Sequence, residues 1–144
     1  MAKFDKLAVI QKIGETGMVP VFYHSNAETA KKVIKACYDG GVRAFEFTNR
    51  GDFAQDVFAE CVKFAAKECP ELALGIGSVV DAPTAALYIQ LGACFVVGPL
   101  FNPDIVPVCN RRSPFGALLS GMRHSIGNRQ GTGIGLRPLQ ALPR

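Results

Sequence analysis

The sequence predicts an α/β fold whose parallel sheet curls towards a closed barrel, and three observations predict it. First, short apolar runs alternate with helical patterns at a repeat of roughly 25 residues, and parallel neighbours need such a helix-length crossover. Second, the strand inside GVRAFEFTNR, residues 41–50, alternates: Phe45 and Phe47 point one way, and Glu46, Thr48 and Arg50 the other. A parallel strand is usually covered on both faces and reads as continuously apolar. An alternating one suits a barrel, where one face packs on outer helices and the other lines the interior. A buried carboxylate is costly unless paired, so Glu46 there is a functional candidate. An antiparallel strand with one wet face is the alternative reading. Third, the first strand runs into His24-Ser25-Asn26. A doubly wound sheet usually opens its ligand site there with a Gly-rich turn.

The elements follow in order. Residues 3–14 read as an amphipathic helix ending near Gly14, and MVPVFYH, 18–24, as the first strand. Ser25 and Glu28 form a capping box for a helix running to about Asp39 and stopping at Gly40-Gly41. The second strand covers 43–49. Asp52 is the expected N-cap of a helix reaching about Lys67, closed by Pro70. Phe53 and Phe58 on that helix read as core. LALGIGSV, 72–79, is the third strand; Asp81 caps the next helix, with Pro83 in its first turn and Gly92 at its end. CFVVGPL, 94–100, is the fourth strand. An Asn-Pro-Asp turn leads to an expected fifth strand, Ile105 to Asn110. About five of the eight strands of a (β/α)8 TIM barrel are therefore present, followed by an irregular C-terminal tail.

At 144 residues the chain is one domain's worth, and 49% apolar residues is ordinary for a globular protein. The N-terminus lacks a signal-peptide core, and no apolar run reaches bilayer length, which points to the cytoplasm and away from a membrane. The five cysteines, 37, 61, 69, 94 and 109, are odd in number and lie in apolar patterns. They read as reduced thiols, and none are spaced as metal ligands. The net charge of +4 is unevenly spread. Residues 1–110 hold all twelve acids and sum to −2, whereas 111–144 hold six Arg, no Lys and no acid and sum to +6.

Four runs carry a family resemblance: VPVFYH, GGVRAFEFTNRG, LGIGSVVDAPTAALYIQLGACFVVGPLFNP and VPVCN. Together, over about residues 8–112, they resemble the KDPG / 4-hydroxy-2-oxoglutarate aldolases, class I aldolases on a (β/α)8 barrel. The resemblance implies an aldehyde-lyase that cleaves 2-keto-3-deoxy-6-phosphogluconate or 4-hydroxy-2-oxoglutarate to pyruvate and an aldehyde. A lysine Schiff base carries that chemistry, with no cofactor and no metal. It assigns Glu46 the acid/base role and Arg50 the substrate's carboxylate or phosphate end. A planar bidentate cation suits such an oxyanion. Ser78 stands where the family usually has a threonine facing the pyruvyl carboxylate, and it also reads as a small residue at a crowded strand end. Thr48 shares the face of Glu46 and would orient it, and Gly98-Pro99 would border the pyruvyl pocket, giving Pro99 a substrate-binding role. His24 reads as structural. The family is expected to be homotrimeric, with keto acids as its ligands.

The chain departs from the family at the lysine, which the family carries on strand six before a Phe-Pro. No lysine follows Lys67, and Lys3, Lys6, Lys12, Lys31, Lys32, Lys35, Lys63 and Lys67 all read as helix surface. The tail offers a reason. Displaced by one base, the codons of Leu119-Ser120-Gly121-Met122-Arg123-His124 can yield Ser-Pro-Gly-Cys-Gly-Thr. The rest can read on as PSEIGKAQELGCDLCKRFPG, with the lysine codon straddling Gln140 and Ala141. Residues 1–112 then form the N-terminal part of an aldolase barrel, and 113–144 an out-of-frame tail. Such a chain is truncated and inactive as an aldolase. The alternative is a non-catalytic fragment associating through its open sheet edge. A nucleic-acid-binding arm is the third reading of the six arginines; it lacks aromatic interleaving, and no nucleic acid is expected.

Overall fold

The computed structural model describes residues 3–112 and 117–120. Its elements are α1 (Lys6–Thr16), β1 (Val21–Phe22), α2 (Ala27–Asp39), β2 (Ala44–Thr48), α3 (Ala54–Glu68), β3 (Ala73–Gly77), α4 (Ala82–Leu91), β4 (Phe95–Gly98), α5 (Ile105–Arg112) and β5 (Ala117–Ser120). The five strands pair in chain order, β1-β2-β3-β4-β5, and every pairing is parallel. A doubly wound sheet reverses its strand order at a switch point. This sheet does not, so its crossover helices collect on one face, as in a barrel wall.

The two faces differ accordingly. On the helix side Phe45 and Phe47 of β2, Leu74 and Ile76 of β3 and Val96 of β4 pack with Ile34, Phe58 and Tyr88 from α2, α3 and α4. The Phe47 and Phe58 rings lie 6.1 Å apart, and Phe58 meets Tyr88 edge-on at 5.2 Å. Each such buried side chain contributes about 1.5–3 kcal/mol. The other, concave face is closed at its N-terminal end by α1, whose Val9 packs on Ala44, Ala73, Cys94 and Phe95.

Helix ends follow local chemistry. Asp81 accepts from the Thr84 amide at 2.8 Å, as its position predicts, and Gly92 ends α4 at φ 111°. Three other ends differ from expectation. The cap of α2 is Asn26, which accepts from the Thr29 amide at 3.0 Å. Glu28, expected to complete a capping box with Ser25, binds Lys31. Helix α1 continues past Gly14 to Gly17, whose φ of 63° suits a left-handed C-cap. Asp52 does not cap α3; Phe53 precedes that helix in a left-handed conformation, φ 57°.

The largest correction concerns the fifth strand. Residues expected to form it, Ile105 to Asn110, are in α5. The Asn102 carboxamide accepts from the Asp104 amide, and the Ile105 amide reaches the Asn102 carbonyl at 3.2 Å, which starts a helical turn. Ile105, Val106 and Cys109 are buried, a helical spacing that a short apolar run hides. Pro107 lies in the first turn, where the missing N–H has no intrahelical acceptor to lose. The fifth strand, Ala117–Ser120, falls inside the segment read as having no strand period, and pairs with β4 from Phe95↔Ala117 to Gly98↔Ser120. The rest of 113–144 lies outside the described residues.

All five cysteines are unpaired. Burial pushes the Cys61 and Cys109 thiols up to about 11. Among the described residues no helix is long and apolar enough to cross a membrane.

Candidate active site

The C-terminal ends of β2 and β3 bring four of the five sequence-predicted residues together. Glu46 and Thr48 stand on the concave face of β2, in register with Gly75 and Gly77 of β3. Strand side chains lean along the strand direction, and the Glu46 carboxylate comes to lie over Gly77. A Cβ added at Gly77 would collide with that carboxylate. The site therefore needs glycine for space. Thr48 is buried, at 2% exposure, in the row that contains Gly77.

Burial raises the Glu46 carboxyl above the ordinary carboxylate range, and the positive charge of Arg50 partly opposes the rise. A carboxyl raised in this way can both give and take a proton nearer neutral pH. Arg50 follows β2 by two residues, and its Nε–H donates to the Ser78 hydroxyl at 3.1 Å. The guanidinium has five N–H donors in a planar fork, of which that bond uses one. Ser78 sits just beyond β3 at φ 63°. A non-glycine residue there costs roughly 1–2 kcal/mol, and such strain clusters at functional sites.

Pro99, the fifth predicted residue, is exposed one position past β4, at the same end of the sheet. Gly98 before it is tightly enclosed: a Cβ there would lie 3.0 Å from the Leu100 carbonyl oxygen and 3.1 Å from that of Val79. His24, read as structural, accepts at Nδ1 from the Asn26 amide at 3.0 Å. Phe58 is core as expected, but Phe53 is not, being 72% exposed. The eight lysines lie on α1, α2 and α3 or just before α1, and none is on a strand. Among the described residues no cluster of three His, Cys, Asp or Glu side chains could hold a metal.

Sequence reasoning missed three contributors. Gly77 makes room for the carboxylate; the alternation Gly75-x-Gly77, facing Glu46 across the ladder, was the available signal. Tyr23 covers the turn after Arg50, since a Cβ on Gly51 would meet its hydroxyl. Tyr88 donates from α4 to the Asn49 carboxamide oxygen at 2.7 Å, a contact between residues 39 apart that no local pattern announces.

Comparison with known proteins bears on the family and the fold. The family model described as KDPG and KHG aldolase matches residues 9–144. The 2-dehydro-3-deoxy-phosphogluconate aldolase of Treponema pallidum is 31% identical over 103 residues, 72% of this chain and 47% of that protein. The KHG/KDPG aldolase of Escherichia coli is 35% identical over 82 residues, 57% of this chain and 37% of that protein. The 2-keto-3-deoxy-6-phospho-gluconate aldolase of Zymomonas mobilis superposes with a TM-score of 0.70 at 25% identity, covering 82% of this chain and 54% of that one. A KDPG aldolase of Legionella pneumophila, solved with pyruvate captured as a covalent carbinolamine, gives 0.70 at 21% identity, covering 81% and 54%. The chain thus spans about half the length of the first two curated relatives it matches, 47% and 50%. With the model matched over nearly all of the sequence and the fold shared with solved members, the chain belongs to the KDPG and KHG aldolase family.

Proposed function

We propose that the mouth formed by β2, β3 and β4 is the keto-acid half of an aldolase site. In the parent reaction 2-keto-3-deoxy-6-phosphogluconate or 4-hydroxy-2-oxoglutarate is cleaved to pyruvate and an aldehyde. A lysine amine adds to the keto carbon and loses water to form an iminium. A base takes the proton of the C4 hydroxyl, the C3–C4 bond breaks, and its electron pair enters the iminium to give an enamine. Glu46 is the acid/base of these proton transfers. Arg50 and Ser78 bind the substrate's anionic end, Thr48 orients Glu46, and Pro99 borders the pyruvyl pocket. The observation that carries this reading is the raised Glu46 carboxyl over Gly77, beside an Arg50 already bonded to Ser78.

The same reading holds that this chain is inactive as it stands. Its lysines all belong to helices or precede one, so none stands at the end of a strand beside Glu46. The acid-free composition of 113–144 supports an out-of-frame tail that has replaced the strand carrying the lysine. The family match continuing to residue 144 is what an in-frame tail would explain. Sequencing the gene separates the two: stop codons in the shifted frame overturn the out-of-frame reading. Borohydride reduction with pyruvate, read by intact mass, tests the activity claim. No adduct is expected; one stoichiometric adduct would show that a lysine serves after all. The second reading, a non-catalytic fragment that associates through its sheet edge, draws support from Val21, exposed on the edge strand β1, while the shortness of that strand opposes it. Sedimentation tests that, with a homotrimer as the family expectation.

A further inference from the structure

We propose that Tyr88 is a positioning residue for Arg50: its hydroxyl holds Asn49 and so fixes the turn from which Arg50 reaches Ser78. The proposal rests on the reading of Arg50 as the anion-binding group.

Asn49 is held from two directions. Its amide donates to the Gly77 carbonyl at 2.9 Å, extending the β2–β3 ladder one residue beyond β2. Its side-chain oxygen accepts from Tyr88 at 2.7 Å, on the helix side of the sheet. Arg50 is the next residue and turns to the opposite side, where it meets Ser78. The peptide between Asn49 and Arg50 is therefore clamped from the helix face while it presents a cation to the mouth. On the far side of Arg50, Gly51 is covered by Tyr23. The anchor itself is rigid: Tyr88 is 1% exposed, and its ring stands edge-on to Phe58 at 82°. Burial pushes its hydroxyl up to about 12, so it remains a donor across the physiological range. An exposed arginine has many rotamers, and a single bond to Ser78 orients it only if the backbone beneath holds still. Tyr88 packs on the helix face of the sheet, so its hydroxyl acts on Arg50 through the Asn49 turn.

The test uses the full chain with isotope-labelled arginine, following the Nε–H proton of Arg50 by NMR. Arg50→Lys identifies the signal. Tyr88→Phe removes only the hydroxyl, and Asn49→Ala removes the acceptor, so a folding failure in one leaves the other. Each is expected to speed exchange of that proton with water by roughly three- to tenfold, the range set by loss of one hydrogen bond. The double variant is expected to be no worse than either single one. Arg43, whose Nε lies 3.2 Å from Glu71 at the other end of β2, serves as the control and is expected to keep its exchange rate. Unchanged exchange at Arg50 in both variants, or equal acceleration at Arg43, overturns the proposal. Titration with inorganic phosphate tests the underlying reading separately. Equal affinity in Arg50→Lys and the unaltered chain removes the anion site and leaves the exchange result to stand. Weaker phosphate binding in Tyr88→Phe, with Arg50→Lys weaker still, supports both.

Discussion

Gly75 and Gly77 lie two residues apart on the same face of β3, and each leaves room for a side chain from a neighbouring strand. Into the space over Gly75 comes the Phe95 ring of β4; into the space over Gly77 comes the Glu46 carboxylate of β2. The Phe95 ring lies under α1 with Val9, Ala44, Ala73 and Cys94, all apolar. The Glu46 carboxylate over Gly77 is half-buried, and the Arg50–Ser78 bond stands just past the ends of the same two strands. The backbone is the same in both rows. What separates the apolar pocket from the charged one is which neighbour fills the vacated volume and whether a helix closes over it. The lower row gives stability; the upper gives up some of it to Glu46 desolvation and to the left-handed Ser78.

Substitutions can break that contrast. The largest effect is expected from Phe95→Ala, which empties the apolar pocket and should cost about 3–5 kcal/mol in urea unfolding. The titration of Glu46, followed by NMR of its carboxyl carbon, should not move. Gly75→Ala and Gly77→Ala come next, each overfilling its row at about 1–3 kcal/mol. They sharpen the comparison because they should differ in one readout. Gly77→Ala pushes the carboxylate towards water and lowers its pKa to the ordinary range, while Gly75→Ala leaves it unchanged. A Glu46 titration untouched by Gly77→Ala would show that the two rows are equivalent.

Smaller again is Ser78→Gly, which relieves the left-handed conformation and should raise stability by up to about 1 kcal/mol. It also removes Arg50's partner, so a gain in thermal midpoint should accompany weaker phosphate binding. The smallest effect is on pH dependence. Because the folded chain raises the Glu46 pKa, it binds that proton more tightly than the unfolded chain does. The folded state should lose stability as pH rises from the ordinary carboxylate value through the raised one. Glu46→Gln should flatten that slope, and Arg50→Ala should raise the Glu46 pKa further by removing the opposing charge.

What the sequence made legible was whatever rests on alternation and local chemistry. The two faces of β2, the Asp81 cap and the Gly92 stop follow from period and from residue type, whereas Arg50 and Ser78 came together only through the family resemblance. Three failures have different causes. IVPVC reads equally as strand or helix until the Asn102 turn decides it. Phe53 looked like core because aromatic residues on helices usually are, but it sits before the first turn, facing solvent. The Tyr88–Asn49 bond joins two elements that only the folded sheet brings close.

Strand order that equals chain order also has a consequence for how the sheet arises during synthesis. Each strand from β2 to β4 leaves the ribosome with its neighbour already made, so pairing can proceed one unit at a time, without waiting for a distant partner. The exception is α1. It is made first, yet the Phe95 ring on which Val9 rests comes from β4. The nascent chain therefore carries the apolar stripe of α1 with only part of its partner surface, Ala44 and then Ala73, until Cys94 and Phe95 complete it.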